Sequence, residues 1–204
     1  MIIYSNRPFI ISLSPLLFLL YINDIINSFN GHGCKFVLYA DDTNIFIIDN
    51  SRESASNKAN MILQLVNNFM KSNLLHINLS KCCYMYFRPP SKEFHGSCAR
   101  TRPYYRAPKI QINGHVIKEV DQTKFLGIII DNNLTWQPHV ENLHKRLKSA
   151  TGTLRRIRHN ISKENFESLY YALFESHITY GITLFGSIAK SHLEKLFRAQ
   201  KHCI

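Results

Sequence analysis

Asp41 and Asp42 stand side by side in "FVLYADDTNIFII", residues 36–48, between two apolar runs. Two unit charges about 4 Å apart repel by roughly 4 kcal/mol at an effective dielectric near 20, so the pair needs compensation. Two arrangements supply it. At a hairpin tip both carboxylates point into water, a position that suits Asp. At a metal centre a divalent cation neutralises them and reverses the usual pKa logic of its ligands. A second chemical feature lies downstream. Lys145, Arg146, Lys148, Arg155, Arg156 and Arg158 have no acidic neighbour between Glu141 and Glu164. A charge run on a helix is usually a solvated face, but an unbalanced run of this length points to phosphate.

The elements that must carry these groups follow from periodicity. "CKFVLYA" and "TNIFII" read as the strands of a hairpin, with Asp41 and Asp42 at or beside its turn. In the next segment Ala55, Ala59, Ile62, Val66 and Phe69 recur at steps of four and three, which predicts a helix with one buried stripe. Residues 74–87 read as loop plus strand. "IQINGHVI" predicts a second hairpin turning at Asn113-Gly114. "KFLGIIID", residues 124–131, reads as one further strand with Gly127 inside it, where a backbone or ligand could approach closely. Beyond Trp136 and Pro138, Val140, Leu143, Leu147, Ala150, Leu154 and Ile157 mark the apolar face of the basic helix. Two more helices follow, one from about Ser162 and one opened by the capping box "SHLE", residues 191–194. Residues 88–109 carry four prolines and six basic residues against one acid and read as a loop or linker, whose Tyr104-Tyr105-Arg106 could stack on bases.

Bulk properties narrow the function classes. The chain has 204 residues, 45% hydrophobic content and a net charge of +11, which favours a polyanionic partner. Residues 1–60 carry a net −1 and the remainder +12, the polarity expected if the first part held cations and the second phosphates. The five cysteines form no C-x-x-C pair, so neither a disulfide framework nor a zinc site is suggested, and a reducing compartment fits best. The ten histidines lack metal-ligand spacing and read as ordinary surface and interface residues. The apolar stretch of residues 8–22 is too short and interrupted to span a bilayer, and no small-residue cleavage site follows it. It reads instead as a helix buried on every side, with Ser14 as N-cap and Pro15 at the first helical position.

Five blocks in order, "SPLLFLLYINDI", "FVLYADDTNIFI", "LLHINLSKCCYMYF", "KFLGIIIDNNLTWQPHVENLHKRLKSATGTLRRI" and "LYYALFESHITYGITLFGS", resemble the reverse transcriptase of non-LTR, LINE-type retrotransposons of the Jockey-like kind. The resemblance implies an α+β fold: a partial polymerase palm over residues 1–131, an antiparallel sheet with packed helices, followed by a mostly helical thumb over 132–204. It implies that Asp41 is a metal ligand, that Asp42 lies beside the metals, and that Tyr39 packs near the primer end. Two Mg²⁺ ions, with Mn²⁺ as a substitute, would clamp the attacking 3′-hydroxyl and the departing pyrophosphate. It further implies that Lys81 protonates pyrophosphate, a role equally open on the residues to a lysine capping a strand end. Leu126 and Gly127 would present backbone to the primer, and the basic helix would track the duplex. The implied partners are an RNA template, a DNA primer and deoxynucleotides, without a membrane, inside the cell in nucleus or cytoplasm.

The chain also departs from that family. The family has a further metal-binding aspartate well upstream of the "SPLLF" block, and only thirteen residues precede the block here. Where the family reads close to P-Q-G-S-x-L-G-P, this chain reads "PFIISLSP", and β-branched residues cannot take every conformation open to glycine. The expectation is therefore a truncated, decayed or frameshifted copy, cut at both ends, that holds half of a metal site. Three hypotheses result: an RNA-directed DNA polymerase fragment, a catalytically inactive nucleic-acid-binding remnant of that enzyme, and a membrane protein anchored by residues 8–22.

Overall fold

The computed structural model describes residues 3–4, 14–29, 33–87, 108–188 and 190–203. It forms two compact units. The first holds the described residues up to Tyr84 and those from 108 to Val120; the second holds 85–87 and everything from Asp121.

In the first unit, β1 (Ile3–Tyr4), α1 (Ser14–Ser28), β2 (Cys34–Tyr39) and β3 (Asp42–Ile47) precede the long helix α2 (Arg52–Ser72). Short pieces follow: β4 (His76–Ile77), a 3₁₀ turn at Leu79–Lys81, β5 (Cys83–Tyr84), β6 (Gln111–Ile112), β7 (His115–Val116) and β8 (Lys118–Glu119). α2 forms because its ends are satisfied and one stripe is apolar. Ser51 caps it by accepting from the Ser54 N–H at 3.1 Å, and the Asn73 side chain donates to the Phe69 carbonyl at 2.8 Å. The buried stripe contains Ala59, Ile62 and Val66 as expected, but runs through Ser56, Asn67 and Met70 rather than centring on Ala55 and Phe69. The reason is visible at Asn67, whose amide exchanges two hydrogen bonds of 2.9–3.0 Å with Asn113 at the tip of the β6–β7 hairpin. That pairing supplies partners for amides that would otherwise be costly to bury. Asn60 adds a second tie, donating to the Lys109 carbonyl and accepting from the Gln111 N–H.

The main core of this unit joins Ile22, Ile25 and Phe29 to Ile62, Val66 and Met70, with the inward side chains of β2 and β3 packed against it. Each fully buried aliphatic side chain contributes about 1.5–3 kcal/mol. α1 departs from the enclosed helix expected of its sequence. Leu16, Leu17, Leu19, Leu20 and Tyr21 are 44–64% exposed, because the described parts of the unit meet α1 on one face only.

Among the described residues every sheet is two-stranded. β1–β4, β2–β3 and β6–β7 are antiparallel, and β5–β8 is parallel, extended by a hydrogen bond from the Val120 N–H to the Tyr84 carbonyl.

The second unit opens with β9 (Gln122–Phe125) and β10 (Ile128–Asp131), then α3 (Gln137–Ile157), a 3₁₀ turn, α4 (Lys163–Tyr170), a π-helical turn at Tyr171–Glu175, α5 (Ser176–Thr179), α6 (Ile182–Phe185) and α7 (Lys190–Cys203). "KFLGIIID" is therefore not one strand but a hairpin turning at Leu126-Gly127, with Ile128 opposite Phe125. Both turn residues have positive φ, +45° and +85°, the requirement of a type I′ loop. Leucine at the first position hides the turn from a reading based on turn-forming residues. Val140, Leu143, Leu147 and Leu154 of α3 pack with Phe174, Phe185 and Leu196. Ser162 caps α4 as expected, whereas α7 begins at Lys190, so Ser191 lies inside its first turn rather than capping it. The linker of residues 88–109 and the stretch at 8–13 lie almost wholly outside the described residues.

Candidate active site and nucleic-acid interface

The acidic pair sits where the β2–β3 hairpin reverses. The strands run in register from Cys34 opposite Ile47 to Tyr39 opposite Asp42, leaving Ala40 and Asp41 as a two-residue loop. Along β2, Phe36 and Leu38 turn toward the core while Lys35, Val37 and Tyr39 face outward. This alternation is what makes the hairpin a rigid support for its tip. Ala40 has φ +49°, a left-handed conformation that costs an alanine about 1 kcal/mol or more. The penalty is tolerated at the residue between Tyr39 and Asp41, the place where direction of the chain fixes where the carboxylate points.

Asp41 is exposed and Asp42, the first residue of β3, is half-buried. Neither has an ion-pair partner among the described residues. Of the two arrangements that relieve the pair's repulsion, the hairpin tip is thus in place, with carboxylate oxygens available to a cation. Tyr39 is 60% exposed beside them. The next residues of β3 add an oddity: Thr43 Oγ1 and Asn44 Nδ2 are buried without hydrogen-bond partners among the described residues. Among the described residues no group of three or more His, Cys, Asp or Glu side chains assembles, so the pair is not part of a closed cation cage. Lys81 is exposed at the end of the 3₁₀ turn, in the same unit as the hairpin.

The other residues singled out belong to the second unit. Leu126 and Gly127 form the β9–β10 turn. The Tyr180 hydroxyl donates to the Leu126 carbonyl, holding the turn. A Cβ on Gly127 would come within 3.3 Å of the Tyr180 ring. Five of the six basic residues lie on α3. Lys145, Arg146, Lys148, Arg155 and Arg156 are all exposed, as is Arg158 just beyond the helix, its guanidinium 5.7 Å above the Phe166 ring. Lys145 and Arg156 are about three turns apart, and Lys148 and Arg155 about two, so each pair lies on one line along the helix.

Two residues that the sequence left unremarked fix this surface. Asp131 is buried at the end of β10 and accepts from the backbone N–H groups of Thr135 and Trp136, both at 2.9 Å, and from the Thr135 hydroxyl at 3.0 Å. Burial pushes its pKa up, but these donors outweigh it and hold the carboxyl below the usual range. The clamp fixes a bend in which Leu134 and Trp136 both have positive φ, and α3 starts directly after it. His139, read from sequence as an ordinary surface histidine, is buried. Its Nδ1 accepts from the Ile129 N–H at 3.3 Å, and its ring lies 5.0 Å from that of Phe185. Burial first, then the Arg146 charge, pushes its pKa down. The signal for Asp131 was available as an acid four and five residues ahead of Thr135 and Trp136; nothing in the spacing marked His139.

No helix among the described residues is long and apolar enough to cross a membrane.

Residues 4–130, which include the hairpin, Lys81 and the Leu126-Gly127 turn, match the family described as reverse transcriptase (RNA-dependent DNA polymerase). The chain is 23% identical over 192 residues to the RNA-directed DNA polymerase from mobile element jockey of Drosophila melanogaster, covering 90% of this chain and 20% of that protein. It is 25% identical over 173 residues to the retrovirus-related Pol polyprotein from type-1 retrotransposable element R1 of Bradysia coprophila, covering 83% and 16%. It is 24% identical over 92 residues to the probable RNA-directed DNA polymerase from transposon X-element of Drosophila melanogaster, covering 44% and 10%. The chain thus spans at most about a fifth of the length of these relatives. No solved structure matches. The chain belongs to the reverse transcriptase (RNA-dependent DNA polymerase) family, of the kind carried by non-LTR retrotransposons.

Proposed function

We propose that this chain supplies the carboxylate hairpin and a basic duplex-binding surface for RNA-directed DNA synthesis, the addition of deoxynucleotides to a DNA primer on an RNA template. One observation carries the reading: within the matched segment, Tyr39-Ala40-Asp41-Asp42 caps a two-stranded support with the Asp41 carboxylate open to solvent. In this reading residues 1–131 correspond to a polymerase palm and 132–204 to a helical thumb, and the work takes place inside the cell, in nucleus or cytoplasm.

The donor set fits a divalent ion of the Mg²⁺ type, which is held by one or two carboxylates while waters and substrate phosphates fill its remaining positions. Mn²⁺ accepts the same oxygen donors. Bound there, the ions supply charge stabilisation for the attacking 3′-oxygen and the leaving pyrophosphate. Asp41 and Asp42 hold the cations from a backbone fixed by the hairpin register. Tyr39 offers its exposed ring to the primer end, and Lys81 donates a proton to pyrophosphate. The Leu126-Gly127 turn presents backbone to the primer strand, and Lys145, Arg146, Lys148, Arg155, Arg156 and Arg158 meet duplex phosphates.

Primer extension on an RNA template with Mg²⁺ or Mn²⁺, comparing the chain with Asp41→Ala, tests the reading. Incorporation that disappears with the substitution supports it; incorporation that survives removes Asp41 from the mechanism. A second reading, a non-catalytic nucleic-acid-binding remnant, is favoured by the contrast between a carboxylate pair with no third ligand among the described residues and six exposed basic side chains. Its signature is salt-sensitive duplex binding without incorporation.

A further inference from the structure

The second unit contains a cavity of about 260 Å³ whose walls include His139, Asn142, Arg146, Ser176, His177 and Tyr180. Three observations give it a chemical character. Among the described residues no carboxylate lines it, while Arg146, His177, Ser176 and Asn142 all present hydrogen-bond donors. Arg146 and His177 have no ion-pair partner among the described residues, so their donors are free for a ligand. His139 is only 7% exposed, and its Nε2 is buried with no partner among the described residues. Since Nδ1 accepts from the Ile129 N–H, the neutral ring carries its proton on Nε2. A buried donor without an acceptor costs about 1–3 kcal/mol.

Tyr180 adds a second recognition element. Its hydroxyl is committed to the Leu126 carbonyl, which holds the ring in one orientation, yet the residue remains 56% exposed. A pinned, open aromatic face is the kind of surface on which a nucleobase stacks, at about 1–3 kcal/mol per base. The cavity lies just below the roughly 300–1,000 Å³ usual for small-molecule sites, a size for one phosphorylated unit.

We infer that this cavity binds the phosphomonoester of a single nucleotide, with Arg146 and His177 at the phosphate and Tyr180 under the base. The nucleotide is either free or the 5′-phosphorylated end of a strand. The inference does not depend on cation binding at Asp41 and Asp42, because every residue it uses belongs to the second unit.

Titration calorimetry on the full chain with 5′-dAMP and with deoxyadenosine tests it. The nucleotide is expected to bind about tenfold or more tightly than the nucleoside, and Arg146→Gln and His177→Gln are each expected to weaken it about tenfold, the scale of a charge-assisted hydrogen bond. Tyr180→Leu should weaken nucleotide and nucleoside alike. A short single strand with and without a 5′-phosphate separates the sources: a phosphate-dependent gain assigns the site to a strand end, and its absence beside tight 5′-dAMP binding assigns it to a free nucleotide. Equal affinity for nucleotide and nucleoside, no saturable binding of 5′-dAMP, or binding untouched in both Gln variants overturns the proposal. Arg146 and His177 are exposed, so both variants are expected to fold, with circular dichroism as the check.

Discussion

Asp131 shows how one side chain sets the geometry of a surface it does not belong to. Its three accepted hydrogen bonds hold the bend from which α3 starts. Asp131→Asn keeps the shape but loses the charge, and should cost about 1.5–3 kcal/mol at pH 7, read by urea unfolding. The native pKa lies below the unfolded one, so this stability is present above the unfolded value near 3.9 and is lost as pH falls through the native value. The gap between wild type and Asp131→Asn should therefore close in acid. His139 has the same sign in a higher window. Its depressed pKa keeps it neutral in the fold, so stability present above the unfolded value near 6.5 drains away as pH falls toward the native value. His139→Gln should flatten that part of the pH–stability curve. At this scale the sequence was legible where a residue type contradicts its surroundings, as two acids between apolar strands do. It was silent where burial creates the role, because nothing adjacent in the chain marks His139 as buried against Phe185.

At the scale of elements, periodicity located α2 and α3 because each buries one stripe, and α2 is also capped by Ser51. It failed at the β9–β10 turn, where a leucine adopts the conformation usually left to Asn or Gly. It failed again at α1, whose all-round apolar sequence promised enclosure while the structure leaves five large side chains open. The turn is the more testable of the two. Gly127→Ala places a Cβ at φ +85° and 3.3 Å from the Tyr180 ring, and should cost about 1–2 kcal/mol in thermal unfolding. Gly152 makes the opposite case. It lies in the middle of α3, exposed, with nothing within 4 Å of the place an alanine methyl would take, so Gly152→Ala should stabilise by about 0.5–1 kcal/mol.

Across the whole molecule the charge is unevenly divided, a net −1 over residues 1–60 and +12 over the rest. Exposure of all six basic residues on and beside α3 turns that total into a surface. If each meets one phosphate, the logarithm of duplex affinity should fall with the logarithm of salt at a slope of about −5, and Lys145→Gln with Arg156→Gln should reduce the slope by about two. The acidic half rests on cation binding at the hairpin tip, which Mn²⁺ titration followed by nuclear magnetic resonance reads residue by residue. Substoichiometric Mn²⁺ should broaden the amide signals of residues 39–44 first, and Asp41→Ala should abolish that selectivity while leaving the other signals in place. Broadening that spares the hairpin, or that persists there unchanged in Asp41→Ala, would contradict the account.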